Sequence, residues 1–216
     1  MASPLSPVTR LWNDRVLPVA VELVCAQGPI DRQRAKVVPE AEGRVLELGV
    51  GSGLNFEHYD PARVEAVVGL DPSGPLLAKA RPRAGRHRFD VELVEGSAEA
   101  IPHPEESFDT VVVTYSLCSI PDPARALAEI RRVLRTTGRL VFSEHGRAPD
   151  AWPHFTQRRL NPMWSRLGGG CHLDRDVPTL LASAGFDTAG VESMYLPGPR
   201  WLNYHYWGVL SVEAAS

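Results

Sequence analysis

The sequence predicts an α/β fold built on a doubly wound, mostly parallel sheet, and three observations carry that prediction. Apolar runs of strand length alternate along the chain with segments whose apolar residues recur at helical spacing. The run Phe108-Asp109-Thr110-Val111-Val112-Val113-Thr114 is nearly continuous in apolar character, as a central strand covered on both faces requires. The stretch Arg44-Val45-Leu46-Glu47-Leu48-Gly49-Val50-Gly51-Ser52-Gly53 couples a strand to a glycine turn, and a second apolar run, Val64 to Leu70, then closes on Asp71.

The elements follow in order. Ala2 to Pro7 reads as a frayed tail. Leu11, Trp12, Val16, Leu17, Val19, Ala20, Leu23 and Val24 recur as one face of a helix, Gly28-Pro29 breaks it, and Ile30 to Val38 is a second helical segment ending at Pro39. Residues 1–40 are therefore expected to form an N-terminal helical cover over the sheet. The first strand begins near Arg44, Asn55 to Tyr59 is a helical turn, Ser73 opens a helix over Gly74 to Arg81, and Phe89 to Glu95 is the third strand. Asp122 caps a helix from Pro123 to Leu134, with proline at the position whose N–H has no partner anyway. Thr136-Thr137-Gly138 ends that helix and Arg139 to Glu144 is the fifth strand. Residues 145–172 then break the rhythm with Trp152, Phe155, Trp164, several prolines and Gly168-Gly169-Gly170, and read as a cap insertion. A helix from Asp174 to Ala184, stopped at Gly185, precedes two last strands near Thr188 to Leu196 and Tyr204 to Val212.

Composition bounds the function. A chain of 216 residues fills one α/β domain and leaves no room for an independent substrate domain, so 1–216 is expected to be a single unit, monomeric or homodimeric. A net charge of −3 gives no electrostatic footprint for nucleic acid, and the cluster Arg81, Arg83, Arg86, His87, Arg88 reads as a solvated helix end. Cys25, Cys118 and Cys171 are odd in number and widely spaced, which supports neither a disulfide framework nor a zinc site. No secretory signal is visible, and the apolar stretch Val16 to Ala26 contains Pro18 and Glu22 and is too short to span a bilayer. A cytoplasmic protein without integral membrane association is expected.

The glycine turn and the acid that follows it point to a nucleoside cofactor. A dinucleotide site wants G-x-G-x-x-G/A, but counting from Gly49 puts Leu54 at the third small position and counting from Gly51 puts Phe56 there. Glu47, at the strand end, would repel a pyrophosphate and attract a cation. S-adenosylmethionine carries a sulfonium and an ammonium and no phosphate, and it fits that rim. The alternatives are an NAD-dependent reductase and a non-catalytic adenosyl-ligand binder.

The set E47-L-G-V-G-S-G53, D71-P-S, G96-S-A-E99, F108-D-T-V-V-V-T, L134-R-T-T-G138-R-L and S143-E-H resembles the class I S-adenosylmethionine-dependent methyltransferases with a type 11 methyltransferase domain, over nearly the whole chain. Within them, T114-Y-S-L-C-S-I120, E144-H145, P162-M-W164 and G169-G-C-H172 resemble the methyltransferase-like seven group of thiol S-methyltransferases. The resemblance implies a Rossmann-like, seven-stranded sheet in the order 3-2-1-4-5-7-6 with the last strand antiparallel. It implies that Glu47, Gly49, Gly51 and Gly53 surround the methionine part of S-adenosyl-L-methionine, Asp71 the ribose and Pro72 the adenine edge, with Asn55 also among the cofactor-binding residues. Relatives often place an acid after Gly96, where this chain has Ser97, so Ser97, Ala98 or Glu99 is expected to meet the adenine. Thr114 and Tyr115 are expected beside the donor, facing a small-molecule acceptor. The thiol-methylating relatives carry a hydrophobic N-terminal anchor that has no match here.

Methyl transfer from a sulfonium is an in-line displacement that needs alignment and a dry pocket, not a covalent enzyme intermediate. Trp152, Phe155, Trp164, Tyr195, Trp201 and Tyr204 are available to line such a pocket. The acceptor must lose a proton, and His145, His172 and Tyr115 are the candidates, with His145 favoured because it follows the fifth strand at the ligand-facing end of the sheet. Cys118 reads as a small buried hydrophobe. Cys171 adjoins His172, but two residues do not make a metal site and no metal is expected.

Overall fold

The computed structural model describes residues 16–212, so the tail at Ala2 to Pro7 and the start of the first helix at Leu11 and Trp12 lie outside the described residues. Seven strands form one sheet in the order β3-β2-β1-β4-β5-β7-β6: β1 (Gly43–Leu48), β2 (Val64–Asp71), β3 (Asp90–Glu95), β4 (Phe108–Thr114), β5 (Leu134–His145), β6 (Glu192–Tyr195) and β7 (Tyr204–Ser211). The first five pair in parallel, and β7 runs antiparallel to both β5 and β6.

The helices are α1 (Leu17–Cys25), α2 (Gly28–Val37), α3 (Gly74–Ala84), α4 (Pro123–Val133), α5 (Ala151–Leu167) and α6 (Val177–Ser183). Three start where an oxygen side chain takes up an orphan N–H of the first turn: Ser73 accepts from Leu76, Asp122 from Arg125 and Asp176 from Thr179. The last of these moves the expected start of α6 from Asp174 to Asp176.

Side chains on the central strands alternate between two cores, as the strand period dictates. Leu46, Leu48, Val111, Val113, Leu140 and Phe142 pack against Leu127 and Ile130 of α4 and Leu181 of α6. Val45, Val67, Val112 and Val141 face the other way, onto Val37, Val38, Leu77 and Ala80. Burying each such side chain fully stabilises the fold by about 1.5–3 kcal/mol, which makes the sheet centre the rigid part of the molecule.

Two elements differ from the sequence reading. β5 begins at Leu134, five residues early, because Leu134 already pairs with Phe108 before a register shift and the resumed pairing of Arg139 with Thr110. The cap is mostly one helix, the 17 residues of α5, with Pro162 accommodated inside it and a left-handed turn at Gly169 and Gly170 after it. Among the described residues, no helix is long and apolar enough to cross a membrane.

Candidate functional site

Strands β1, β2 and β4 end side by side, and the chain leaves β1 and β4 in opposite directions, which opens a crevice at their carboxyl ends. A cleft of about 740 Å³ occupies this position. Its floor is the glycine turn. Gly49 has a φ of +67°, and a Cβ there would lie 2.1 Å from Ser116 Oγ, so this position admits no side chain. The turn aims Gly51 N at Asp71 Oδ2, 2.9 Å away, while Ser73 N donates to Asp71 Oδ1 at 2.8 Å. Each carboxylate oxygen of Asp71 therefore keeps a lone pair for the cleft. Burial pushes its pKa up, and the two backbone N–H groups pull it back down.

Glu47 is 2% exposed and fully engaged: Asn55 Nδ2 donates to Oε1 at 3.0 Å and Tyr59 Oη to Oε2 at 2.8 Å. Burial raises its pKa to about 7, against those hydrogen bonds and the charge of Arg34. Asn55 Nδ2 also reaches Thr114 Oγ1 at 2.9 Å, and Asn55 Oδ1 is buried with no hydrogen-bond partner. A buried carboxylate beside an unsatisfied carbonyl is an arrangement that a ligand ammonium completes.

Of the residues singled out in the sequence, the structure brings Glu47, Gly49, Gly51, Asn55, Asp71, Pro72, Ser97, Ala98, Thr114 and Tyr115 to this cleft. Gly53, Glu99 and His145 do not line it. Gly53 lies against the Phe56 ring, where its φ of +78° serves the turn. Glu99 turns away, its Oε1 accepting from Asp122 N at 2.6 Å. His145 sits behind the wall, with Nε2 3.2 Å from Cys171 Sγ. Its pKa is opposed by burial and carried above the ordinary histidine value by the neighbouring Cys171.

The six aromatic residues expected to make a dry pocket are not on the cleft wall either. Trp152 and Phe155 are 66% and 56% exposed on the outer face of α5. Tyr195 and Tyr204 pack edge to face with each other, as do Trp164 and Trp201. Helical periodicity shows which residues share a face, but not whether that face meets the protein or the solvent.

Tyr115 is held in the left-handed region, with φ +54°, an uncommon state for a non-glycine residue. Its hydroxyl lies 3.2 Å from His205 Nδ1 and accepts from Ser143 Oγ at 3.3 Å. Burial raises the phenol pKa, so Tyr115 stays protonated at neutral pH. His205, which the sequence reading passed over, is pushed down to about 3 by burial and by His145.

Arg34 of α2 was also missed. It is 5% exposed, lines the cleft, and stands with its guanidinium 5.1 Å from the Tyr115 ring centroid. Nη1 donates to Cys25 O at 2.6 Å, while Nε is buried without a partner. In the sequence it is one of several charges on a helical segment, and only its packing separates it from the solvated ones. The helical cover is fastened over the cleft by Glu22 of α1, which pairs with Lys79 at 2.6 Å and Arg83 at 3.1 Å on α3.

A family model described as a methyltransferase domain matches residues 46–142, the span from β1 to β5 that carries the glycine turn, Asp71 and Thr114. Human thiol S-methyltransferase TMT1B is 35% identical over 169 residues, covering 75% of this chain and 68% of that protein. The chain belongs to the class I S-adenosylmethionine-dependent methyltransferases. The rat TMT1B protein is 34% identical over 74% of this chain, and the chain spans 66% of its length. The fold of this methyltransferase is similar to that of Haemonchus contortus Phospholethanolamine N-methyltransferase 2, solved with phosphomonomethylethanolamine and S-adenosylhomocysteine, with a TM-score of 0.71 and 17% identity over 98% of this chain and 61% of that one. The family cofactor is S-adenosylmethionine, and the cleft fits it. Glu22, Glu47, Asp71 and Glu95 stand on its wall, with Arg34 as the one basic side chain among the described lining residues, a balance suited to a cationic nucleoside and hostile to a pyrophosphate.

Proposed function

We propose that this chain transfers a methyl group from S-adenosylmethionine to a small thiol. The observation that carries the reading is the acidic cleft with an unsatisfied Asn55 Oδ1 at one end and a buried guanidinium, Arg34, that makes no ion pair among the described residues, beside Tyr115. The similarity to thiol S-methyltransferases TMT1B supports the acceptor class.

When bound, the donor supplies an electrophilic methyl group on a sulfonium. Asp71 accepts the ribose hydroxyls with the lone pairs its backbone contacts leave free. Glu47 and Asn55 hold the ammonium through the Glu47 charge and Asn55 Oδ1. Pro72, Ser97 and Ala98 border the adenine. Thr114 and Tyr115, which line the cleft at the end of β4, would stand beside the donor's methyl. Arg34 acts on the acceptor: a nearby buried cation lowers the pKa of an incoming thiol, so the thiolate forms by losing its proton to water. Arg34 would hold that thiolate at the cleft, where the new C–S bond would form as the donor's methyl–sulfonium bond breaks and its electron pair returns to the donor sulfur. Opposite charges cancel along this path, so a low-dielectric site lowers the barrier. Neither His145 nor Tyr115 is needed as a base.

The test is a panel of acceptors assayed with methyl-labelled donor, with hydrogen sulfide and alkane thiols set against phenols and primary amines. S-methylated products, thioethers from alkane thiols and methanethiol from hydrogen sulfide, formed fastest by thiols whose pKa lies nearest the assay pH, support the reading. Turnover with amines or phenols alone overturns it.

A further inference from the structure

We propose that Cys118, His145 and Cys171 form a binding site for one zinc ion. They come from three separate parts of the chain: the loop after β4, the last residue of β5 and the turn after α5. One ligand atom from each lies within 4.8 Å of the other two. Tetrahedral zinc, with bonds of about 2.3 Å to sulfur and about 2.0 Å to nitrogen, spaces its ligand atoms about 3.3–3.8 Å apart. The His145 Nε2 to Cys171 Sγ separation of 3.2 Å lies just below that spacing, so these two groups need to part only slightly to admit the ion.

The chemistry of the set selects the ion. Two thiolates and a neutral imidazole balance a charge of +2, and soft sulfur ligands reject magnesium and calcium. Binding releases the two thiol protons to solvent and changes no oxidation state. The fourth position is left for water or a further ligand.

The surroundings are those of a supported ligand set. Trp164 Nε1 donates to Cys171 Sγ at 3.4 Å, an N–H···S contact of the kind that orients a thiolate. His172 N donates to Cys118 O at 2.9 Å, tying the two cysteine-bearing segments together. Glu144, next to His145 in the strand, is fully buried, and its Oε2 has no hydrogen-bond partner. Arg175 packs against the same loop and donates to the carbonyls of Leu117 and Ile120.

An ion there would pin one wall of the methyl-transfer cleft. Gly168 and Gly169, just before Cys171, and Ser119 and Ile120, just after Cys118, all line that cleft. The inference stands apart from the thiol acceptor: it concerns three residues behind the wall and holds whichever small molecule is methylated.

The experiment uses the full chain, purified with a reductant, stripped with a chelator and then titrated. Zinc is quantified by elemental analysis, and cobalt(II) serves as its coloured substitute. The expected result is one equivalent bound, a sulfur-to-cobalt charge-transfer band, and a rise in Tm on adding zinc. Cys118→Ser and Cys171→Ser should each weaken binding by about tenfold or more, while Cys25→Ser binds as the parent does. Substoichiometric binding, a cobalt spectrum without the sulfur band, or serine variants that titrate like the parent overturn the proposal. Because the unaltered chain gives both the stoichiometry and the spectrum, a variant that fails to fold does not shield the proposal from failure.

Discussion

The two walls of the cleft are built differently. The wall formed by β1, β2 and the glycine turn is assembled from residues close in sequence, with Glu47 meeting Asn55 eight positions on and Asp71 meeting Gly51 twenty positions back. The wall formed by the end of β4 with the cap is backed by contacts between distant residues: His145 to Cys171 across 26 positions and Tyr115 to His205 across 90. The first wall is preorganised for a ligand common to a whole family, and most of its polar atoms are paired before the ligand arrives. The first leaves Asn55 Oδ1 unpaired, while the second keeps Glu144 Oε2 and His205 Nε2 unpaired. Unpaired groups are costly in a dry interior, and on both walls they mark places where a ligand can supply the missing partner.

The sharpest way to break this contrast is Asp71→Ala, which removes a carboxylate whose two oxygens already organise the glycine turn. Affinity for S-adenosylhomocysteine, measured by calorimetry, should fall by about 100-fold, near 3 kcal/mol, the loss expected of charge-assisted hydrogen bonds. Unchanged affinity would mean that the donor does not use this wall.

A smaller effect concerns pH. Glu47 has a pKa of about 7 in the free protein, mainly because it is buried, and a cationic donor should favour its ionised form. Binding then releases up to one proton below that pKa, so donor affinity rises with pH, by at most about tenfold per unit, and levels off above about 7. Glu47→Gln should flatten the profile. The same shift has a cost in stability. A carboxyl whose folded pKa is raised from 4.5 to about 7 favours the fold below the lower value, and that contribution is lost as pH rises through the upper one. Glu144, also raised to about 7 by burial, acts in the same sense. Thermal melts of the ligand-free protein should therefore show Tm declining between about pH 5 and pH 8, with a shallower decline for Glu47→Gln.

Glu22→Ala separates the cover from the sheet. The ion pairs to Lys79 and Arg83 are partly exposed, so their loss should cost under about 1 kcal/mol, shrink further in high salt, and speed donor dissociation more than it lowers Tm. The smallest change is expected on the outer face of the cap. Trp152→Ala should alter stability by no more than about 0.5 kcal/mol and leave donor affinity untouched, because the ring is exposed. A larger loss there would show that the α5 surface is covered in solution.

The same contrast explains what could be read from the sequence. The alternation of strands and helices and the glycine turn were legible because strand and helix periods are local and because Gly49 admits no other residue, whereas the strand order came from the family resemblance. Glu47, Asn55 and Asp71 were legible for the same reason: they are spaced along one β-turn-β unit whose geometry is fixed by its neighbours in the chain. Arg34 was not, since nothing local distinguishes it from Arg32 two positions earlier, which remains exposed. His145 was placed correctly at the end of β5, but the direction of its ring depends on Cys171, which the cap delivers from 26 residues away.

The sequence by itself determined the parallel sheet, the glycine elbow and the carboxylate that follows it, because each is decided by steric and periodic rules acting over a few residues. Only the tertiary structure decided which histidine and cysteines meet, which aromatic rings face water and which arginine is buried. Those outcomes depend on how α1, α2 and α5 dock onto the sheet, and docking is governed by the packing of side chains from distant parts of the chain, which no local pattern encodes.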